Sequence, residues 1–233
     1  NPVCFSDDPR DKRLRVSVMV EWDSHRYIVD CGPDFRYQML REKVSSIDGL
    51  LITHEHADHI AGLDDLRPFV FKMGAVPIYT DKRVMENLSY RFEYIFSDKN
   101  KYPGAPSVIQ RIIDDKPFII SNLEVIPIEV IHGKLKIKGY RFNKAAYLTD
   151  VKHVSDTECE KLHGLEVLII SAIRHRPHAT HMNLDEALEL IQRIGAKRTY
   201  ITHISQDMGF HAEVEATLPE NVFLAYDGLK ISV

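Results

Sequence analysis

Thr53-His54-Glu55-His56-Ala57-Asp58-His59 constrains this chain more than any other stretch. It follows an apolar run, Leu50-Leu51-Ile52, and leads into Ile60-Ala61-Gly62-Leu63-Asp64-Asp65-Leu66. That pattern predicts a buried strand, a tight loop and the first turns of a helix. Residues two apart in an extended segment point to the same side, so His54 and His56 can hold one metal ion together. Asp58 and His59 follow the turn and can face a second ion. Three imidazoles and a carboxylate within six residues suit zinc or another borderline divalent metal. A second ion about 3.5–4 Å from the first would make a hydrolytic pair. The bland alternative is a polar loop that happens to be rich in histidine.

Composition excludes several classes. The 233 residues are enough for one large domain or two small ones. A net charge of −4 argues against bulk attraction to nucleic acid or membrane. No apolar run approaches the ~20 residues of a membrane span, and no targeting segment is visible at Asn1-Pro2-Val3-Cys4. Cys4, Cys31 and Cys159 make no disulfide framework, so a reducing cytoplasm is the expected location.

The rest of the chain reads as mixed α/β, without repeat or linker. Strands are expected at 14–22 and 27–30, joined through Asp23-Ser24, then at 76–79, 108–113, 118–120, 124–131, 134–142, 145–148, 167–170, 198–201, 222–225 and 229–233. Helices are expected at 35–43, at 81–95 capped by Asp81, at 155–162, at 183–194 with an Asn183/Glu186 capping box, and at 213–218. Residues 97–107 read as a loop. His132, Asp150 and His203 each stand just past an apolar run, and strand ends at one sheet edge can meet in one site. His25, His153 and His163 read as structural or solvated. Lys134, Lys136 and Lys138 share a strand face, which usually means a solvated edge.

His54-x-His56-x-Asp58-His59 resembles the signature of the metallo-β-lactamase-fold hydrolases. The resemblance implies the αββα sandwich, two mixed β-sheets flanked by helices, over one domain of residues 1–233. The family's first strand would precede Asn1. It also implies a ligand assignment. One ion takes His54, His56 and His132; the other takes Asp58, His59 and His203. Asp150 and a water bridge them, and two cations acidify that water toward neutral pH. The ions are expected to be zinc or manganese. Asp58 thereby counts as catalytic as well as ligating. Asp30 and Asp34 match the family's strand-closing Asp segment, and with Asp227 they are expected to support the ligands from behind. For Asp34 a plain turn and helix cap is the competing reading.

Residues 7–15, Gly62-Leu63-Asp64-Asp65-Leu66-Arg67 and Ala225-Tyr226-Asp227-Gly228-Leu229 extend the match. Together they resemble the phosphoribosyl cyclic phosphate phosphodiesterase group of phosphonate breakdown. That group carries a structural zinc on N-terminal cysteines and a histidine. Here Cys4 stands alone and Gln206 occupies the histidine's place, so the set is incomplete. The run Arg174-His175-Arg176-Pro177-His178-Ala179-Thr180-His181 concentrates basic side chains suited to an anion. Arg174, Arg176 and His178 are expected to bind substrate, and His181, near the cap of the next helix, to assist the leaving group. The leading expectation is a phosphodiesterase on small cyclic or diester ribosyl or nucleotide phosphates. The partner is thus a small phosphorylated substrate, with no membrane and no nucleic acid, and the chain could pair with a second copy. The alternatives are a thioester or lactone hydrolase, a tRNA 3′-processing-type endonuclease, or a binding protein that kept the fold.

Overall fold

The computed structural model describes residues 1–97, 99 and 101–233, and Asp98 and Asn100 of the predicted loop 97–107 lie outside them. The chain divides into two compact units, Arg15–Asp114 and Asn1–Leu14 with Asp115–Val233.

In the first unit β1 (Val18–Trp22) and β2 (His25–Val29) form an antiparallel hairpin. Asp23 and Ser24 turn it with φ of 45° and 70°, the backbone that tight two-residue hairpins need. Then β3 (Gly49–Leu51), β4 (Val76–Thr80) and β5 (Val108–Ile112) add in parallel, giving the order β1-β2-β3-β4-β5. Between the strands lie α1 (Phe35–Arg41), α2 (Ala57–Ile60), α3 (Arg67–Met73), α4 (Lys82–Arg91) and α5 (Glu93–Phe96). Ile28, Phe35, Leu50, Ile52, Leu63, Ile78 and Leu88 form the core of this unit. β3 is buried throughout, which is why Leu50-Leu51-Ile52 reads as an unbroken apolar run. The helix predicted at 81–95 is two helices. Phe92 leaves helical backbone at φ −119° and ψ 44°, and its side chain packs on the core. A further helix, α3, was not foreseen; it carries Pro68 in its first turn, where a missing N–H costs nothing.

The second unit has the order β12-β11-β10-β9-β8-β7-β6. β6 (Phe118–Ile120), β7 (Leu123–His132), β8 (Leu135–Phe142) and β9 (Ala145–Leu148) are antiparallel. β10 (Val167–Ser171), β11 (Arg198–Thr202) and β12 (Val222–Leu224) continue in parallel. The helices are α6 (Asp156–Glu160), α7 (Leu184–Ile194) and α8 (His211–Glu215). On α7 the predicted capping box is complete: Asn183 accepts from the Glu186 amide and Glu186 from the Asn183 amide, both at 2.9 Å. Its apolar face, Leu184, Ala187, Leu190, Ile191 and Ile194, joins the core with Ile128, Leu148, Leu168 and Ile201.

Two expectations fail here. Lys138 is not on a solvated edge: β8 is interior to the sheet, and Lys138 is buried and paired with Asp115. Leu229–Val233 is no strand. The Leu229 amide closes a turn onto the Tyr226 carbonyl, and these largely uncovered residues gain little from pairing.

Residues 1–14 are strapped onto this unit. The Asn1 side chain donates to the Gln206 carbonyl, and the His211 amide donates to Asp11. Arg13 donates to the Ala225 carbonyl and to His211 Nδ1, and the Leu14 amide donates to Asp227. No helix among the described residues is long and apolar enough to cross a membrane.

Candidate metal centre

In the unit Arg15–Asp114 the histidine loop is built from a buried carboxylate outward. Asp30, just past β2, sits at φ 65° and is fully buried. Its Oδ2 lies 2.7 Å from His59 Nδ1. An ionised carboxylate only accepts, so His59 carries its proton on Nδ1 and its lone pair on Nε2. Asp30 also receives the Thr53 amide at 2.9 Å and the Thr53 hydroxyl at 2.9–3.0 Å. That hydroxyl has one proton and gives it to Asp30. Towards His54 Nδ1, 3.0 Å away, it therefore accepts, which puts the His54 proton on Nδ1 and its lone pair on Nε2. One carboxylate thus sets the tautomer of two imidazoles.

His54 Nε2 and His56 Nδ1 stand 3.0 Å apart. Nitrogens ~2.0–2.1 Å from one tetrahedral zinc are separated by about 3.3 Å, so this spacing fits two ligands of one ion. His56 is the extended residue before α2, and Asp58 and His59 lie within that helix, with His59 Nε2 3.7 Å from Asp58 Oδ2. The loop is held in place from outside. Glu55 pairs with Arg83, and its carbonyl receives Arg91 at 2.9 Å, both from α4. The turn Cys31-Gly32 packs directly on α2: the Cys31 amide donates to the His59 carbonyl and the Gly62 amide to the Cys31 carbonyl. A Cβ on Gly32 would stand 2.2 Å from the Asp58 carbonyl oxygen, so only glycine fits.

Asp34 does not orient an imidazole. Its carboxylate accepts the Arg15 amide at 2.7 Å, and at the head of α1 it makes no side-chain capping bond either. The imidazole-orienting carboxylate is Asp30.

The other unit assembles a second donor set. His132 ends β7 and donates Nδ1–H to the Thr180 carbonyl at 2.9 Å, which again leaves Nε2 as the donor. Asp150 and His203, just past β9 and β11, hold φ of 52° and 54°. Non-glycine residues rarely adopt this backbone, and such strain gathers at functional sites. Asp150 Oδ1 lies 3.3 Å from His203 Nε2 and 3.2 Å from His181 Nδ1, while the Thr149 hydroxyl donates to Oδ2. Ligand atoms of His132, Asp150 and His181 lie within 4.8 Å of one another. His181 Nδ1 is buried and makes no hydrogen bond among the described residues. Burial pushes the His181 imidazole down to about 4, against the pull of Asp150 and with help from neighbouring His203, His132 and His178. His178 is also lowered, first by desolvation, then by Arg174.

The basic loop is less available than its composition suggests. Arg174 donates to the Arg176 and Pro177 carbonyls and so shapes its own loop, and Arg176 lies 3.7 Å from Asp207. Asp227 meets the Leu14 amide at 3.0 Å, fastening the N-terminal strap. Thr53, Arg83, Arg91 and Gly32 had no assigned part in the sequence reading, since nothing in their residue type announces one. Both donor sets, neutral imidazoles with fixed tautomers and carboxylates, fit zinc or manganese.

Two mixed sheets flanked by helices, with histidine and aspartate donors at strand ends, define a metal-dependent hydrolase of the metallo-β-lactamase fold. The model of the beta-lactamase superfamily domain matches residues 25–204. The chain belongs to that superfamily and, within it, to the PhnP family: it is 42% identical to the crystal structure of a new diphosphatase from the PhnP family, covering 99% of this chain and 89% of that one at a TM-score of 0.92. It is also 37% identical over 231 residues to an octanoyltransferase of Porphyromonas gingivalis, covering 98% of this chain and 46% of that protein. A ribonuclease Z of Clostridioides difficile is 28% identical over 151 residues, covering 60% of this chain and 47% of that protein. The chain spans about half the length of these curated relatives.

Proposed function

We propose that this chain hydrolyses a phosphodiester or diphosphate linkage in a small phosphorylated substrate, with cyclic or diester ribosyl and nucleotide phosphates as the leading class. The observation that carries it is the second donor set: His132, Asp150 and His181 converge beside a loop rich in basic side chains. The diphosphatase named among its relatives supports the same substrate chemistry. More than half of the octanoyltransferase has no counterpart here, so that name lends little weight to acyl chemistry.

The residues we assign to hold divalent metal are His54, His56, Asp58 and His59 of one unit and His132, Asp150 and His203 of the other. Divalent metal held there would supply an acidified water and positive charge for the phosphate oxygens. The chain's own residues do the rest. Asp30 and the Thr180 carbonyl fix the tautomers of His59 and His132, with the proton on Nδ1 and the lone pair on Nε2. We place His181, uncharged at neutral pH, to donate a hydrogen bond to the departing oxygen, and His178 with the positive field of Arg174 and Arg176 to receive the phosphate.

The test is a substrate panel on metal-loaded protein: a cyclic ribosyl phosphate, bis(p-nitrophenyl) phosphate, a nucleoside diphosphate sugar, an octanoyl thioester, a lactone and a precursor tRNA. Turnover of the small phosphoesters or the diphosphate, abolished by chelator, is expected. Turnover confined to the thioester, the lactone or the tRNA overturns the reading. Elemental analysis is expected to approach two equivalents of metal, and saturation at one would remove the paired assignment.

A further inference from the structure

Glu55 lies between two residues assigned to metal, and it is held by a different part of the unit Arg15–Asp114. His54 Nε2 and His56 Nδ1 come within 3.0 Å of each other. The Glu55 carboxylate pairs with Arg83 instead, and the Glu55 carbonyl oxygen accepts from Arg91 Nη1 at 2.9 Å. Glu55 is 9% exposed, and its Oε2 is buried without a hydrogen bond among the described residues. A buried carboxylate oxygen left unsatisfied costs stability, and an apolar side chain would fill the same place without that cost. Packing alone therefore does not account for a carboxylate here.

Both arginines stand on α4, eight residues apart, which puts their Cα atoms about 12 Å apart along the helix axis. One residue of the loop is thus gripped from two separate turns of one helix. That helix is itself fixed. Asp81 caps it by accepting the Val84 amide at 2.9 Å. Val84, Met85 and Leu88 are buried in the same core as Leu50 and Ile52, which lead into the loop. The backbone torsions of Glu55 decide how the imidazoles on either side of it are aimed. The Arg91 bond holds the plane of the peptide joining Glu55 to His56, and the Arg83 pair holds the Glu55 side chain.

We propose that Arg91 and Arg83 are positioning residues of the metal centre: by gripping Glu55 from α4 they keep the His54 and His56 nitrogens at the spacing that serves one ion. This rests on the assignment of His54 and His56 to metal and not on the substrate class.

The test is competition for zinc between the chain, stripped of metal, and a chromophoric chelator. It is read beside the visible absorption of the cobalt(II)-loaded protein, which reports coordination geometry, and beside the melting temperature. Arg91→Met keeps an unbranched stem and removes the donors. It is expected to weaken zinc binding about 10–100-fold and to alter the cobalt spectrum, and Arg83→Met should shift both readouts in the same direction. Arg91→Lys, which keeps a donor and the charge, should recover most of the affinity. Arg36→Met, at an exposed arginine of α1, should leave affinity and spectrum alone. Wild-type affinity and spectrum in Arg91→Met overturn the proposal even if its melting temperature falls, because a merely structural contact moves only the melting temperature. Should Arg91→Met fail to fold, Arg83→Met decides by the same two readouts. An equal loss in Arg36→Met also overturns it. Failure of the ligand assignment looks different: His54→Ala then binds zinc as tightly as the wild type, and the proposal goes with the assignment.

Discussion

Asp30 does with one side chain what metal sites often spread over several. It fixes His59 directly and His54 through the Thr53 hydroxyl. Asp30→Asn keeps the size but places an amide where a carboxylate accepted from three donors, the Thr53 amide, the Thr53 hydroxyl and His59. We expect metal affinity to fall about 10–100-fold with the fold intact, measured by competition with a chromophoric chelator. His181 offers a second test. As the donor to the departing oxygen, its replacement by Ala should lower kcat on an alkyl diester by roughly 10²–10⁴-fold, less on a nitrophenyl ester, with metal content unchanged. Loss of metal in that variant would instead make it a ligand beside Asp150. At this scale the histidines were legible because spacing and strand-end position are written in residue order. Thr53 was not, because a threonine's part depends on which hydrogen bond its single proton takes. Nor was Asp34, whose place at the head of α1 suggested a cap it does not make.

The loop-helix element depends on close backbone contact. Gly32 lies against Asp58, and a Cβ on Gly62 would stand 2.2 Å from the Gly32 carbonyl oxygen. Gly32→Ala must push backbone, not a pliant side chain. It should cost about 1–3 kcal/mol by urea denaturation and weaken metal binding together with stability. Gly164→Ala is the control: its φ is 76° with open space around it, so it should cost stability but spare the metal. Elements whose signals are local were legible: the capping box of α7, the turn at Asp23-Ser24, the apolar strand β7. The break at Phe92, the burial of Lys138 and the absent final strand were not. Each is decided by which strand or core surface lies alongside, and residue order does not carry that.

Across the whole chain, the N-terminal strap turns stability into a function of pH. His211 is buried, receives Arg13 on Nδ1, and is faced by Asp8, Arg10, Asp11, Glu215 and Tyr226. Burial lowers its pKa from the usual value near 6.5, with Arg10 and Arg13 adding to the fall and Glu215 and Asp8 opposing it. The unfolded chain then binds the proton more readily than the folded one. The stability this histidine contributes is present above about pH 6.5 and is lost as pH falls below it. Melting temperature should therefore drop between pH 7 and pH 5, and drop less in His211→Asn, whose side-chain oxygen can accept from Arg13 but does not titrate. An identical pH slope in the variant would exclude His211 as the source.

Asp30, Asp150 and His203 all sit in left-handed backbone at the ends of strands. At Asp30 and Asp150 the hydrogen bonds these carboxylates accept would be lost with the side chain, but at the less buried His203 glycine would relieve the backbone by roughly 1 kcal/mol. A lineage selected only to survive heat would be drawn to replace His203 first, and would grow sturdier as it lost the ligand we assign there. Persistence of His203 under such selection would record a continuing demand for that ligand, and its decay to glycine in a thermostable descendant would mark when the demand ended.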